Sequence, residues 1–193
     1  MLLVTLVAAV SCGCASWSKL EKAGVFCRDG DGRPALNLLA ISDAFSEDCG
    51  LQCLEVVFEH WGRPTTVKEL KRVAGKTPNR GYTIGQLADV ARSYGFSAYV
   101  VPGTLDELEQ HCSLGRPCIV VLRTDGQANH AVVVHAVHRG TRPYEGTTAT
   151  VVDRSAHTVE EMKVSALLPR WNALGAPMLL IAVKTEGGGN LSR

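Results

Sequence analysis

Residues 48–62 read Asp48-Cys49-Gly50-Leu51-Gln52-Cys53-Leu54-Glu55-Val56-Val57-Phe58-Glu59-His60-Trp61-Gly62. Leu54, Val57, Phe58 and Trp61 recur at i, i+3, i+4 and i+7, the period of one helical face, and Gly62 ends the run. Asp48 or Ser46 is placed to cap this helix, which puts Cys49 at its N-terminus. Downstream, Thr66 with Glu69, Thr83 with Gln86, and Thr104 with Glu107 have capping-box spacing, and Gly75, Gly95 and Gly115 stand where three short helices would end. Their apolar residues each trace one face, so the helices need a sheet or one another as cover. The β-branched and aliphatic runs come later: 96–101, 118–122, 131–137, 147–152 and 178–183, separated by Gly, Pro or Asp. Helices followed by strands predict an α+β domain.

The chain has 193 residues, of which 46% are apolar and 20% charged, enough for one domain with a real core. Twenty Lys+Arg against 19 Asp+Glu leave a net charge of +1, and aromatics make up 6%, so no basic field for nucleic acid exists. The apolar run of residues 1–10 is too short to span a bilayer, which takes roughly 20 residues. It leads into Ser11-Cys12-Gly13-Cys14 and reads as a signal core rather than part of the fold. Ala9-Val10-Ser11-Cys12 resembles a bacterial lipobox, with Cys12 as the lipid-bearing residue and Cys14 as the second choice, although no Lys or Arg precedes the run. The expected organisation is therefore a signal peptide over 1–14, a tether over 15–40, a folded domain over 41–185 and a frayed tail over 186–193. Such a protein would be exported and held at a bacterial membrane, on the periplasmic side or the cell surface, through a lipid anchor alone.

The remaining cysteines, Cys27, Cys49, Cys53, Cys112 and Cys118, are odd in number, so at least one thiol stays free. Cys112 and Cys118 could form a disulfide or be two small buried residues flanking a turn. No Cys-x-x-Cys pair supports zinc. Asp29-Gly30-Asp31-Gly32 is a turn rather than a calcium loop, because Arg33 and Ala40 stand where ligands would be needed.

A thiol attacks as thiolate, and a helix N-terminus favours the anion; Cys49 has that placement, and Gly50 would leave the backbone beside it open. Cys49 could equally be a small buried residue. His130 opens the strand His130-Ala131-Val132-Val133-Val134-His135-Ala136-Val137-His138, where strict alternation puts His130 and His138 on one face and His135 on the other. A histidine at a strand mouth can serve a thiol as base, or be structural. Asp153 ends the next strand and neighbours His130 if the two form a hairpin across Gly140 to Gly146; its carboxylate could orient the imidazole or start a turn.

Taken together, these segments resemble the bacteriocin-processing peptidases, papain-like cysteine peptidases that cleave leader peptides after a double glycine. The resemblance starts with Asp48-Cys49-Gly50-Leu51-Gln52-Cys53-Leu54, continues through Phe58-Glu59-His60-Trp61-Gly62, Val67-Lys68-Glu69-Leu70, Thr83-Ile84-Gly85-Gln86-Leu87 and Tyr94-Gly95-Phe96, and extends to Gly115-Arg116-Pro117-Cys118-Ile119-Val120, His130-Ala131-Val132-Val133 and Val152-Asp153. It implies a papain-like fold, with the nucleophile helix packed on a C-terminal antiparallel sheet. It also implies Cys49 as nucleophile, His130 as general base and acid, Asp153 as orienting carboxylate, and no metal or cofactor.

Two residues depart from the family pattern. Asp43 stands where the family usually has a Gln whose side chain donates to the oxyanion; a carboxylate can only accept. Arg154 follows Asp153 where the family commonly has Pro, a change expected to alter a turn. No phosphate-loop motif for a fused ATPase is present, so the resemblance is to stand-alone relatives, often lipoproteins. The expected partner is a peptide or protein substrate, with further partner proteins open. A peptidase-like binding module is the alternative, favoured by Asp43, and a thiol acyltransferase would use the same residues with another acceptor.

Overall fold

Helix formation in this chain begins where the side chains can close their own ends. In the computed structural model, which describes residues 26–28, 34–36, 48–75, 81–124, 129–142 and 144–184, Thr66, Thr83 and Thr104 each complete a reciprocal capping box. These open helices α2 (Val67–Ala74), α3 (Ile84–Ser93) and α4 (Leu105–Ser113). Helix α1 (Cys49–His60) starts differently: Asp48 occupies the N-cap position but its side chain makes no capping bond. The Asp48 carboxylate, almost fully buried, is instead ion-paired with Lys71 of α2. The expected cap is thus a tether between helices, and Ser46 lies outside the described residues.

The chain divides into two compact units, Met1–Ser42 and Asp43–Arg193. In the first, within the stretch read as a tether, β1 (Phe26–Arg28) and β2 (Pro34–Leu36) pair antiparallel. The signal segment with Cys12 and Cys14, the Asp29–Gly32 turn, Asp43 and the 186–193 tail lie outside the described residues.

The second unit is the α+β domain. Its strands are β3 (Phe96–Pro102), β4 (Cys118–Leu122), β5 (His130–His138), β6 (Thr148–Asp153), β7 (Thr158–Lys163) and β8 (Pro177–Val183), and a fifth helix, α5, spans Val164–Asn172. They form one six-stranded sheet in the order β3-β8-β4-β5-β6-β7, antiparallel throughout. One core gathers Leu108 and Cys112 of α4 and Leu167 and Trp171 of α5 against Val120, Val132, Val134 and Val151 of the sheet. Helix α1 packs on β5. Its Phe58 ring lies 4.4 Å from Phe96, and Trp61 Nε1 donates to the Ile181 carbonyl at 3.1 Å. The C-terminal end is held by His60 Nε2, 2.8 Å from the Gly115 carbonyl oxygen; burial pushes this imidazole down to about 4, so it is neutral at pH 7. Helix α1 is therefore fixed along its length before any chemistry is considered.

Two sequence expectations change, and for Cys112 and Cys118 one of the two open readings is found. Gly50 is buried, and a Cβ there would lie 2.8 Å from Leu87 Cδ1, so the glycine admits α3 against α1 rather than opening the backbone to a substrate. A bulge between Val134 and Ala136 adds one residue to β5, which resets the alternation. His138 consequently lies on the face of Val133, opposite to that of His130, and its Nε2 is 2.9 Å from Thr150 Oγ1. Cys112 and Cys118 are free, buried thiols, with Cys112 Sγ 3.6 Å from the Val134 carbonyl oxygen.

Candidate active site

The antiparallel β5–β6 hairpin predicted across Gly140 to Gly146 forms, in a register that sets Val133 opposite Val152. It carries His130 at the start of β5 and Asp153 at the end of β6 to the same end of the sheet. His130 Nε2 lies 2.6 Å from Asp153 Oδ2. With Nε2 so engaged, Nδ1 is the nitrogen left for Cys49, whose ionised form the nearby His130 side chain favours. The Ala131 N–H also points at Cys49 Sγ, at 3.5 Å. Helix α1, on the face of the sheet that β5 presents to it, thus delivers Cys49 to the mouth of the hairpin. All three candidate side chains come together.

The electrostatics follow from these contacts. Burial alone would raise the Cys49 thiol, but hydrogen bonds from His130 and the Ala131 N–H, the imidazolium charge and the Gly50 N–H outweigh it and hold the thiol below its ordinary value. Asp153 and then Cys49 hold the proton on His130, raising it to about 9 against the opposing effect of burial. For Asp153 burial acts upward, yet the bonds from His130 and Ser155, the imidazolium charge and the Ala156 N–H bring it down to about 2. These shifts bias Cys49 toward thiolate and His130 toward imidazolium beside the Asp153 carboxylate, and the groups titrate as a coupled unit. Cys53, one turn on and fully buried, is pushed up by desolvation and by the charges of Cys49 and Asp153, so it stays a neutral thiol.

Asp153 is itself held by residues that sequence reading passed over. Its Oδ1 accepts from Ser155 N at 3.0 Å, Ser155 Oγ at 2.7 Å and Ala156 N at 3.1 Å. The Asp-x-Ser pattern of an Asx turn was the available signal. Arg154 does more than alter that turn: it is buried and its Nη2 lies 3.0 Å from Glu55 Oε2 on α1, a pairing between distant segments with no local signature. The N–H groups of Cys49, Gly50 and Leu51 precede the first intrahelical bond, from Gln52 N to the Asp48 carbonyl at 3.1 Å, so this end of α1 presents donors for negative charge. Among the described residues no group of three or more His, Cys, Asp or Glu is arranged to hold a metal ion.

These pKa directions define a pH profile. Any reaction that uses the Cys49 thiolate and the His130 proton should rise on the acid side as Cys49 ionises, below the range of an ordinary thiol, and fall as His130 loses its proton at about 9. For stability the signs run the other way round for the two partners. The raised His130 contributes fully below its ordinary 6.5 and is lost as pH rises through about 9, while the depressed Asp153 contributes above its ordinary 3.8 and is lost as pH falls through about 2. kcat/KM measured across pH, paired with denaturation midpoints of the same samples, checks both.

Fold and site together define a cysteine peptidase-like module with papain-like architecture. The chain belongs to the Peptidase C39 family, whose model matches residues 40–178. Among solved structures it is similar to the peptidase domain of Streptococcus ComA, a bi-functional ABC transporter, at 20% identity over 75% of this chain and 97% of that one, with a TM-score of 0.59. The N-terminal peptidase C39-like domain of a toxin secretion ATP-binding protein from Vibrio parahaemolyticus is 20% identical over 72% of this chain and 99% of that one, with a TM-score of 0.56. A double glycine motif protease from an AMS/PCAT transporter, solved in complex with its leader peptide, is 16% identical over 75% of this chain and 92% of that one, with a TM-score of 0.51. These likenesses establish the shared fold, and with the family match they bear out the resemblance to double-glycine leader peptidases. No curated protein matches the chain.

Proposed function

We propose that the protein is a cysteine peptidase that hydrolyses a peptide bond through Cys49, His130 and Asp153. The observation that carries this reading is the placement of one imidazole between a carboxylate and a thiol at a helix N-terminus. The Cys49 thiolate attacks the carbonyl carbon of the scissile peptide, and the resulting oxyanion meets the Cys49 N–H at the start of α1. His130 gives its proton from Nδ1 to the departing amine, leaving a thioester on Cys49. A water molecule, giving its proton to the same nitrogen, then adds to the thioester carbon; the C–S bond breaks, releasing the acid and restoring the Cys49 thiolate beside the His130 imidazolium. Asp153 keeps Nε2 as the outer donor throughout, so Nδ1 remains the nitrogen that exchanges protons with the reacting groups. A peptide substrate is supported by the leader-peptide complex of the AMS/PCAT protease. The test is cleavage of a peptide mixture that disappears with Cys49.

Asp43 favours a second reading, a module that grips a peptide without cutting it. The missing amide donor is worth about 10²–10³ in kcat. Asp43→Gln should therefore raise kcat by up to that factor if the site turns over with an incomplete oxyanion hole. Equal rates for the two forms would show that position 43 does not face the oxyanion.

The cellular setting is part of the same proposal: export, followed by attachment at Cys12, would hold the enzyme at a membrane surface. Among the described residues no helix is long and apolar enough to cross a membrane. In a bacterial host fed a labelled fatty acid, the full chain should take up label and Cys12→Ser should lose it. Label retained by Cys12→Ser would move the anchor to another residue, and an unlabelled full chain would remove it.

A further inference from the structure

Arg154 stands next to Asp153 in the chain, is 7% exposed, and directs its guanidinium at α1, with Nη2 3.0 Å from Glu55 Oε2. Glu55 lies on the helix that begins with Cys49, six residues and ~9 Å along its axis at 1.5 Å per residue. The same carboxylate accepts the backbone N–H of Val67, the first residue of α2. The contacts close a ring: Cys49 through α1 to Glu55, across the ion pair to Arg154, one residue to Asp153, across 2.6 Å to His130, and back to the sulfur. Every other link in that ring belongs to the helix, the backbone or the reacting groups. The ion pair is the one that ties the helix bearing the thiol to the turn bearing the carboxylate.

We propose, resting on the peptidase reading above, that the Glu55–Arg154 pair positions the reacting groups by locking the Asp153 turn against α1, so that His130 stays in contact with Cys49. Ion pairs this deeply buried add little net stability over an apolar pair of the same shape, since desolvation offsets most of the attraction. What such a pair supplies is a defined geometry, because Glu55 and Arg154 are satisfied in one relative placement of α1 and the end of β6. Glu59, one turn beyond Glu55 and also within the field of Arg154, places a second carboxylate on the same side of the helix.

The pair can act by position or by field, and the two are separable because its charges have opposite signs. If it acts by position, removing either charge loosens the His130–Cys49 contact and moves the thiolate to higher pH. If it acts by field alone, Glu55→Gln favours the thiolate and Arg154→Met disfavours it. The measurement is the rate of Cys49 alkylation by iodoacetamide as a function of pH, read on the Cys49 peptide by mass spectrometry in the full chain. Circular dichroism and denaturation midpoints are recorded on the same samples. Glu55→Gln and Arg154→Met should both displace the profile upward, with alkylation below the wild-type midpoint reduced about tenfold for a one-unit displacement. Arg154→Lys, which keeps the charge, should stay close to wild type. Displacements of opposite sign, or unchanged profiles beside a lowered denaturation midpoint, would overturn the proposal. Glu55→Gln is isosteric and decides the matter alone should Arg154→Met not fold, because position, field and mere stability predict a rise, a fall and no change. A wild-type Cys49 that alkylates as an ordinary thiol removes the peptidase reading and this inference with it, whereas an enhanced wild type with a contrary variant pattern overturns the inference alone.

Discussion

Cys49→Ala is expected to remove peptide hydrolysis by a factor on the order of 10⁴ or more while leaving peptide affinity within a few-fold of wild type. The substitution keeps the Cβ and the helix start and deletes only the sulfur that bonds carbon. Cys53→Ala is the matching control. Cys53 is 1% exposed and held neutral by desolvation, so its loss should leave a small void, worth on the order of 1 kcal/mol, and an intact kcat. Cleavage rates and fluorescence anisotropy on one peptide separate the outcomes. A binding module would show no cleavage that depends on Cys49, and a site in which Cys53→Ala abolished cleavage would have its nucleophile elsewhere on α1.

The second large effect comes from a substitution that looks conservative. Asp153→Asn should lower kcat by about 10²- to 10⁴-fold, nearly as much as Asp153→Ala. The reason lies in the donors around the carboxylate. The Ser155 and Ala156 N–H groups both point at Oδ1, at 3.0 and 3.1 Å, and a backbone N–H cannot turn into an acceptor. An asparagine there must place its oxygen toward those donors, which turns its NH₂ toward His130 Nε2. That nitrogen must then accept, so the neutral ring carries its proton on Nδ1 and has no lone pair there to receive the Cys49 proton. Folding should be little affected, because the Asx turn survives with the amide oxygen in place of Oδ1. The loss should be in kcat and in the alkaline limb, since His130 no longer has the carboxylate that raises it to about 9. An Asp153→Asn variant with wild-type kcat would show that the carboxylate does not set the tautomer.

What could be read from the chain before its structure, and what could not, divides along the range of the interactions involved. The three Thr-x-x-Glu/Gln boxes depend on neighbours within one turn and form as expected, and the helix starting at Cys49 forms too, though without the expected side-chain cap. The apolar strands β3, β4, β5, β6 and β8 announce themselves by composition. Strand β7, Thr158-Val159-Glu160-Glu161-Met162-Lys163, does not, because it is an almost wholly exposed edge whose order comes from backbone pairing with β6. Helix α5 carries Pro169 in its interior and so contradicts its own signal, although Val164, Leu167 and Trp171 are buried at helical spacing. At the site, Cys49, His130 and Asp153 were visible as an ordered set because each sits at the end of a readable element. The reach of Arg154 to Glu55, the Leu87 side chain over Gly50 and the bulge that turns His138 away are tertiary. No pattern within a few residues encodes them.

The most direct test of the account is the titration of the Cys49 sulfur itself, followed as the difference in thiolate absorbance near 240 nm between wild type and Cys49→Ala across pH. The account predicts that the thiolate signal persists below the ordinary thiol range and that His130→Ala shifts its midpoint upward, about tenfold in ionisation constant for each pH unit. A thiolate that forms only at the pH of a free cysteine, with or without His130, would contradict it.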